Sequence, residues 1–390
     1  MQVTVNLRFK KFDGGRIGHM SKLQWEIGIA VDTEINEVNG VHPDCVPALC
    51  RDGEGSLWAV AGHSGYGKFG VFKGRNADDI KKLYDAELLF PTGPAGTAFG
   101  GQKHPYPDGP LPRGEVWATG LWIVPENATK YPGRFYALVH NETGWGSGST
   151  GYTAYAQEEG EPDFRHIGLM SSDDRGKTWD FHGWVITAAE PCYTELYRPD
   201  GISTGGQKAG IINLGAGDLS VFFNYDEKML YCFYSMVWYN MDDRSVVSDK
   251  IYVARAKMQK TGELGEFEKY HQGSFCTPGN GGAETAVMTG GAEPCVAYHK
   301  PLGRYLMTTY NRAYWGKGPT LQVCCSDNLT DWTEPVRIVE THSELSMPYY
   351  ALCGCEPSQP HNFLGEEFDL LVCSNNTDIS RHKVKTRCDE

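Results

Sequence analysis

The chain has 390 residues, of which 40% are hydrophobic and 12% aromatic, with 47 glycines, 21 prolines and a formal charge of −13 at pH 7. That acidity argues against nucleic acid as a partner, because binding a phosphate backbone requires basic surface. No stretch reaches the roughly 18 consecutive apolar residues of a membrane-spanning helix, and no sustained heptad or helical period appears, so the turn-rich, aromatic-rich composition points to many short strands.

Residues 1–40 read as an N-terminal strand and a connecting loop, placed to close a ring by pairing with the last unit. The opening MQVTVNLRFKKF alternates like a strand and lacks the apolar core of a signal peptide. The expectation is a cytoplasmic protein, or a secreted one whose signal is already absent. A first unit spans 42–86, with the apolar strand after Asp44, the turn Asp52-Gly53-Glu54-Gly55 and the strand SLWAVAG. A Gly/Pro-rich loop over 92–114 follows, of the length that commonly carries function.

The second unit, 113–183, holds EVWATGLWIVPE, RFYALVHNETGWG and the segment HIGLMSSDDRGKTWD. Its Ser172-x-Asp174-x-Gly176-x-Thr178-Trp179 is an Asp-box, a hairpin device. Ser and Asp side chains bond the turn backbone, Gly supplies a positive φ, and Trp packs beneath. Asx-type bonding accounts fully for Asp174, so the box predicts an outer turn rather than chemistry. A degraded copy recurs in LQVCCSDNLTDW, residues 321–332. The third unit spans 209–260, the fourth 290–336 and the fifth 345–376, and the tail RHKVKTRCDE reads as polar. Five strand couplets at irregular spacing predict one domain, a five-bladed β-propeller.

The twelve cysteines fall mostly inside apolar strands, as with Cys232, Cys324, Cys325 and Cys373. They read as buried free thiols that behave as small hydrophobes. Cys353-x-Cys355 lacks the spacing of the usual zinc pairs.

Three acids precede innermost strands: Asp44 before VPAL, Asp218 before LSVFFNY, and Glu293 before CVAYH. Turn chemistry explains Asp52, Asp226 and Glu227, but these three lead into apolar strands instead of tightening hairpins. At equivalent places in three blades they would converge near the axis. There the chain resembles the five-bladed propeller glycoside hydrolases of the arabinanase and β-xylosidase type. The likeness lies in Asp44 through Glu54, Asp218 through Glu227, Ala292-Glu293-Pro294 and SDNLTDW, and covers roughly residues 42–375. The chain departs from the family in Cys45 and Leu219, where Pro usually follows the Asp, and in Trp117-Ala118-Thr119, where Trp-Ala-Pro is usual.

The resemblance implies Asp44 as the general base on water and Glu293 as the general acid. Asp218 would orient the sugar and hold up the acid's pKa. It also implies inversion, with the base and acid carboxyls roughly 6.5–9.5 Å apart. Glu142 is the alternative acid, with His140 beside it. Trp145, Tyr152, Tyr314 and Trp315 suit stacking on sugar, and His361 is a candidate channel residue. A calcium ion in the central channel is admissible, although no calcium loop is present. The partner expected is carbohydrate, with an arabinan- or xylan-like substrate. A propeller polysaccharide lyase using His140, a sialidase and a non-catalytic glycan-binding propeller are the competing readings. Few arginines in the long loops count against the lyase, and the lack of an arginine triad counts against the sialidase.

Overall fold

The computed structural model describes residues 3–9, 12–13, 16–17, 21–64, 69–90, 115–142, 165–189, 211–240, 245–312, 318–338, 349–374 and 376–389. These residues are nearly all β, the one helical element being a 3-10 turn at Glu37–Asn39. No helix among them is long and apolar enough to cross a membrane.

The strands fall into antiparallel groups that follow the chain. The first is Ala48–Arg51, Leu57–Ala61, Gly70–Gly74 and Lys81–Asp85. The second is Glu115–Ile123, Phe135–Glu142, Arg165–Ser172 and Thr178–Ile186. The third is Ile211–Asn224, Met229–Asn240, Ser245–Met258 and Leu264–His271, with Ser274–Pro278 at its edge. The fourth is Ala292–His299, Arg304–Tyr310, Leu321–Ser326 and the short Val336–Arg337. The last runs Tyr350–Gly354, Glu367–Ser374, Asp378–Asp389, and then the N-terminal strands Ser21–Asn36 and Val3–Phe9. A single parallel pairing, Arg165 with Gly215, joins the second and third groups into one sheet.

The apolar cores lie between successive groups. Trp58, Val71, Leu138, Trp179, Val221 and Tyr234 bring the first three together. Phe222, Phe233, Ile251, Val296, Met307 and Cys324 fill the space between the third and fourth. Leu49, Ala297, Val323, Leu352 and Val372 belong to a core shared by the fourth, the last and the first. The first strand of each group stands beside the next group's first strand in chain order. Buried on both faces, these strands read as continuous apolar runs, as in Glu115–Ile123, where every position is buried.

Their direction fixes where chemistry can sit. Each first strand begins at one end of the assembly and runs to a tight hairpin at the other, as at Asp52–Ser56 and Asn224–Lys228. The acids lie before these hairpins in each case, Asp44 ahead of Ala48–Arg51, Glu293 near the start of Ala292–His299 and Asp218 midway along Ile211–Asn224.

The Asp-box forms the outer hairpin of the second group. Ser172 Oγ donates to Asp174 Oδ1 at 2.7 Å and accepts from the Gly176 N–H at 2.7 Å. Asp174 accepts from the Thr178 N–H at 2.9 Å and from its hydroxyl at 2.8 Å, and the fully buried Trp179 donates to Gly176 O at 2.9 Å. The copy at Ser326 keeps the last bond, Trp332 Nε1 to Leu329 O at 3.1 Å.

Two sequence boundaries need correction. The tail, read as merely polar, is the strand Asp378–Asp389, inserted between Glu367–Ser374 and the N-terminal Ser21–Asn36. Its alternation of Ile379, His382 and Val384 with charged residues covers one buried face, while Lys385 and Arg387 pair with Glu367 and Glu26 on the other. The third unit extends past residue 260, because Leu264–His271 adds a further antiparallel strand after the turn at Gly262. The described cysteines are free thiols, most of them buried.

Candidate active site

Asp44, Asp218 and Glu293 share an unusual backbone. Their φ angles are 42°, 44° and 51°, in the left-handed region that non-glycine residues seldom occupy. Asp218 is the extra residue of a bulge between Gly217 and Leu219, and Glu293 lies in a bulge between Ala292 and Cys295. A bulge inserts one residue into the ladder and re-aims its side chain. The Asp218 and Glu293 carboxyls thereby leave the alternation of their strands, whereas Asp44 lies in the bend that precedes Ala48–Arg51.

Around Asp218 the side chains form a tight polar cluster. His140 Nδ1 stands 3.1 Å from Asp218 Oδ1, and His140 Nε2 stands 3.1 Å from Glu142 Oε1. Arg165 places Nη2 2.7 Å from Glu142 Oε1 and Nη1 3.2 Å from Asp218 Oδ2. His140, Glu142 and Arg165 are all buried. The Asp218 backbone N also lies 2.5 Å from His140 Nδ1. The neutral ring accepts from that N–H, whereas the imidazolium turns Nδ1–H toward the carboxylate. Gly217 makes the approach possible, since a Cβ there would fall 2.4 Å from His140 Cε1.

Asp44 sits on the other side, its backbone N–H donating to Asn376 O at 2.9 Å. The Trp117 indole donates to its carboxylate. Trp117 is stacked on His63 with centroids 4.8 Å apart and meets His140 edge-on at 5.4 Å. Tyr349, just before the last group's first strand, feels Asp44, Glu293 and Asp218 together.

The environment separates these carboxyls. Burial favours the neutral form of Asp218, but His140 and then Arg165 outweigh it and hold the group well below the usual carboxylate range. Burial, and then the neighbouring Asp218 charge, push Glu293 well above its ordinary value, against the pull of Arg312 and Arg165. Arg312 is itself held by Asp249 at 3.1 Å. Asp44 is raised to about 7 by burial, then by Glu142 and Asp218. Burial opposes the charge on His140, yet Asp218 and Glu142 raise it to about 9. Glu142 is lowered, because Arg165 and His140 overcome its burial.

The structure thus brings Asp44, Asp218, Glu293, His140 and Glu142 to one end of the first strands. His361 is elsewhere, in a narrow apolar channel lined by Val46, Leu49, Val221, Val296 and Leu352, further along those strands from the acids. Trp145, Tyr152, Tyr314 and Trp315 lie outside the described residues. A cavity of about 730 Å³ opens at the opposite end among hairpin residues such as Gly53, Glu126, Tyr225 and Ser358. Asp52, Glu54 and Glu126 line it, but Asp52 is committed to its own hairpin, accepting from the Glu54 and Ser56 amides and the Trp58 indole.

Sequence reasoning passed over Arg165, Ser235, Arg312 and Tyr349, and noted Trp117 only as a departure from a family pattern. Nothing in their local sequence marks them, since each is an ordinary strand residue or strand-end residue. The Gly215-Ala216-Gly217-Asp218 run was the available cue. Its two outer glycines allow the backbone to lie against Arg165 and His140.

No protein-family model matches the sequence, and no curated relative matches it. Among solved structures, the chain is similar to an α-L-arabinanase of Penicillium chrysogenum complexed with arabinobiose, with 12% identity over 92% of this chain and 97% of that one and a TM-score of 0.42. It is similar to a family 117 glycoside hydrolase of the marine bacterium Zobellia galactanivorans, with 12% identity over 98% and 90% and a TM-score of 0.46. It is also similar to a putative exo-β-1,3-galactanase of Bifidobacterium bifidum, with 11% identity over 88% and 90% and a TM-score of 0.48. Likeness at this level carries nothing about activity or substrate, which rests on the side chains.

Proposed function

We propose that the chain is a glycoside hydrolase built as a five-bladed β-propeller, with its active site where the first strands begin. The observation that carries this reading is the pair Asp218 and Glu293, whose environments push one carboxyl down and the other up. Glycosidic cleavage needs one carboxyl protonated and another ionised, and such a pair supplies the division of labour.

In this reading Glu293 is the general acid that protonates the leaving oxygen. Asp218 stays ionised, fixes sugar hydroxyls and keeps the proton on Glu293. Asp44 is the base that takes a proton from the attacking water, and its value of about 7 matches that role near neutrality. The Trp117 indole orients its carboxylate. Glu142 is the weaker candidate for the acid, because Arg165 keeps it ionised. With water attacking directly, the reaction inverts the anomeric centre, and the substrate is an arabinan- or xylan-like glycan.

The steps of this reading need no calcium ion. Among the described residues, His42, Asp44 and His63 bring one ligand atom each to within 4.8 Å of one another. Two imidazoles and one carboxylate suit a borderline ion such as zinc, whereas calcium takes six to eight oxygens.

The test is a panel of polysaccharides and aryl glycosides with product analysis, run on the wild type and on Glu293→Gln. Released sugar of inverted configuration, lost on unactivated substrates in the variant, is the expected result. Tight binding of an oligosaccharide without any release would turn the reading to a glycan-binding propeller.

A further inference from the structure

Asp218 and Glu293 belong to different strand groups, yet one hydroxyl joins their backbones. Ser235 lies in Met229–Asn240, directly opposite Gly217 in the ladder and 2% exposed. Its Oγ donates to the Asp218 carbonyl at 3.2 Å and accepts from the Glu293 N–H at 2.9 Å. Both residues so tied have left-handed φ and both sit in bulges. Such conformations persist only where the surroundings over-determine them.

We propose that Ser235 is a positioning residue that sets the spacing of the Asp218 and Glu293 carboxyls by tying the carbonyl of one to the amide of the other. A merely structural serine would satisfy one buried group within its own sheet. This hydroxyl instead spans two sheets, and both its partners are backbone atoms of the acids. Without it, the part-buried Glu293 amide loses its acceptor. Either a water enters or the bulge relaxes, and both changes move the two carboxyls apart. The charged groups then facing Glu293 are Asp218, Arg312 and Arg165, with the Tyr349 phenol and the Cys45 thiol also beside it. As Asp218 recedes, the two guanidiniums gain weight and the proton on Glu293 is held less firmly.

The catalytic consequence rests on the glycosidase reading, but the positioning does not, so the primary measurement is independent of turnover. The Glu293 carboxyl is followed by carbon-13 NMR as a function of pH, with its signal assigned through Glu293→Gln. In Ser235→Ala its midpoint is expected to fall by about one unit, a tenfold change in proton affinity, and Ser235→Thr, which keeps the hydroxyl, is expected to restore it. On a glycoside with a poor leaving group, Ser235→Ala should lose kcat by about tenfold or more at unchanged KM. On an activated aryl glycoside the loss should be smaller. An unchanged Glu293 midpoint in Ser235→Ala overturns the proposal, as does failure of Ser235→Thr to restore it. If Ser235→Ala does not fold, Ser235→Cys decides on the same midpoint, since its weak hydrogen bonding loosens the tie while filling the space. Wild-type protein inert on every glycoside would overturn the glycosidase reading alone, leaving the NMR result to judge Ser235.

Discussion

Arg165 Nη1 stands 3.2 Å from Asp218 Oδ2, while Nη2 of the same guanidinium stands 2.7 Å from Glu142 Oε1. One planar fork therefore bridges two groups of strands at the point where their sheets meet in parallel. Lysine presents a single point charge and cannot reproduce that fork. Arg165→Lys is expected to keep the fold by circular dichroism but to lose kcat/KM by roughly tenfold or more, each factor of ten being about 1.4 kcal/mol of transition-state stabilisation. Unchanged kinetics would show that the fork has no catalytic consequence.

Glu293→Gln removes a transferable proton without changing the side chain's shape. The rate on unactivated glycosides should fall by about 10²–10⁴, the usual contribution of a general acid. On aryl glycosides with good leaving groups the fall should be much smaller. An equal fall on both classes, or a dead Glu142→Gln beside an active Glu293→Gln, would move the acid to the second group.

Asp44 gives a prediction with a definite sign in pH. Its folded value, about 7, lies above its ordinary 3.8, so folding favours its protonated form. The associated stability is fully present below the unfolded pKa and is lost as pH rises through about 7. Asp44→Asn should therefore abolish hydrolysis while raising Tm by a few degrees at pH 8 and leaving it nearly unchanged at pH 4. In the wild type the same ionisation gives kcat/KM an ascending limb near pH 7, measurable on any substrate the enzyme accepts. A limb near pH 4 would remove Asp44 from the role of base.

Asp174 tests the opposite expectation, that a conspicuous acid is structural. Asp174→Ala removes three bonds within the Ser172–Trp179 hairpin and should destabilise the protein by roughly 2 kcal/mol. Activity per folded molecule should not change. The Asp174 pKa is lowered, burial being outweighed by bonds from Thr178 and Ser172, so its contribution is present above the unfolded pKa and fades as pH falls. The gap in Tm between wild type and variant should therefore close toward pH 3, and a gap that stayed constant would argue for a purely steric effect.

Local sequence determined much of this protein. The Asp-box is a self-contained device whose bonds join residues within four positions of one another, so SSDDRGKTW announces its hairpin without tertiary help. Apolar runs bounded by turn residues marked the first strands, and the acids at their starts could be named from chain position alone. The long-range partners were not legible in the same way. The strand Asp378–Asp389 looked like a polar tail because one of its faces carries charges. Its place between Glu367–Ser374 and Ser21–Asn36 depends on a partner more than 300 residues away.

Only the tertiary structure decided how the carboxyls differ. Asp218 and Glu293 are both acids before apolar strands, and nothing in their neighbours along the chain tells them apart. The distinction comes from His140 and Arg165, brought from the second group against Asp218, and from burial of Glu293 beside the resulting charge. Charge interactions depend on separation in space, and a separation of a few ångströms between strands of different groups has no counterpart in sequence spacing.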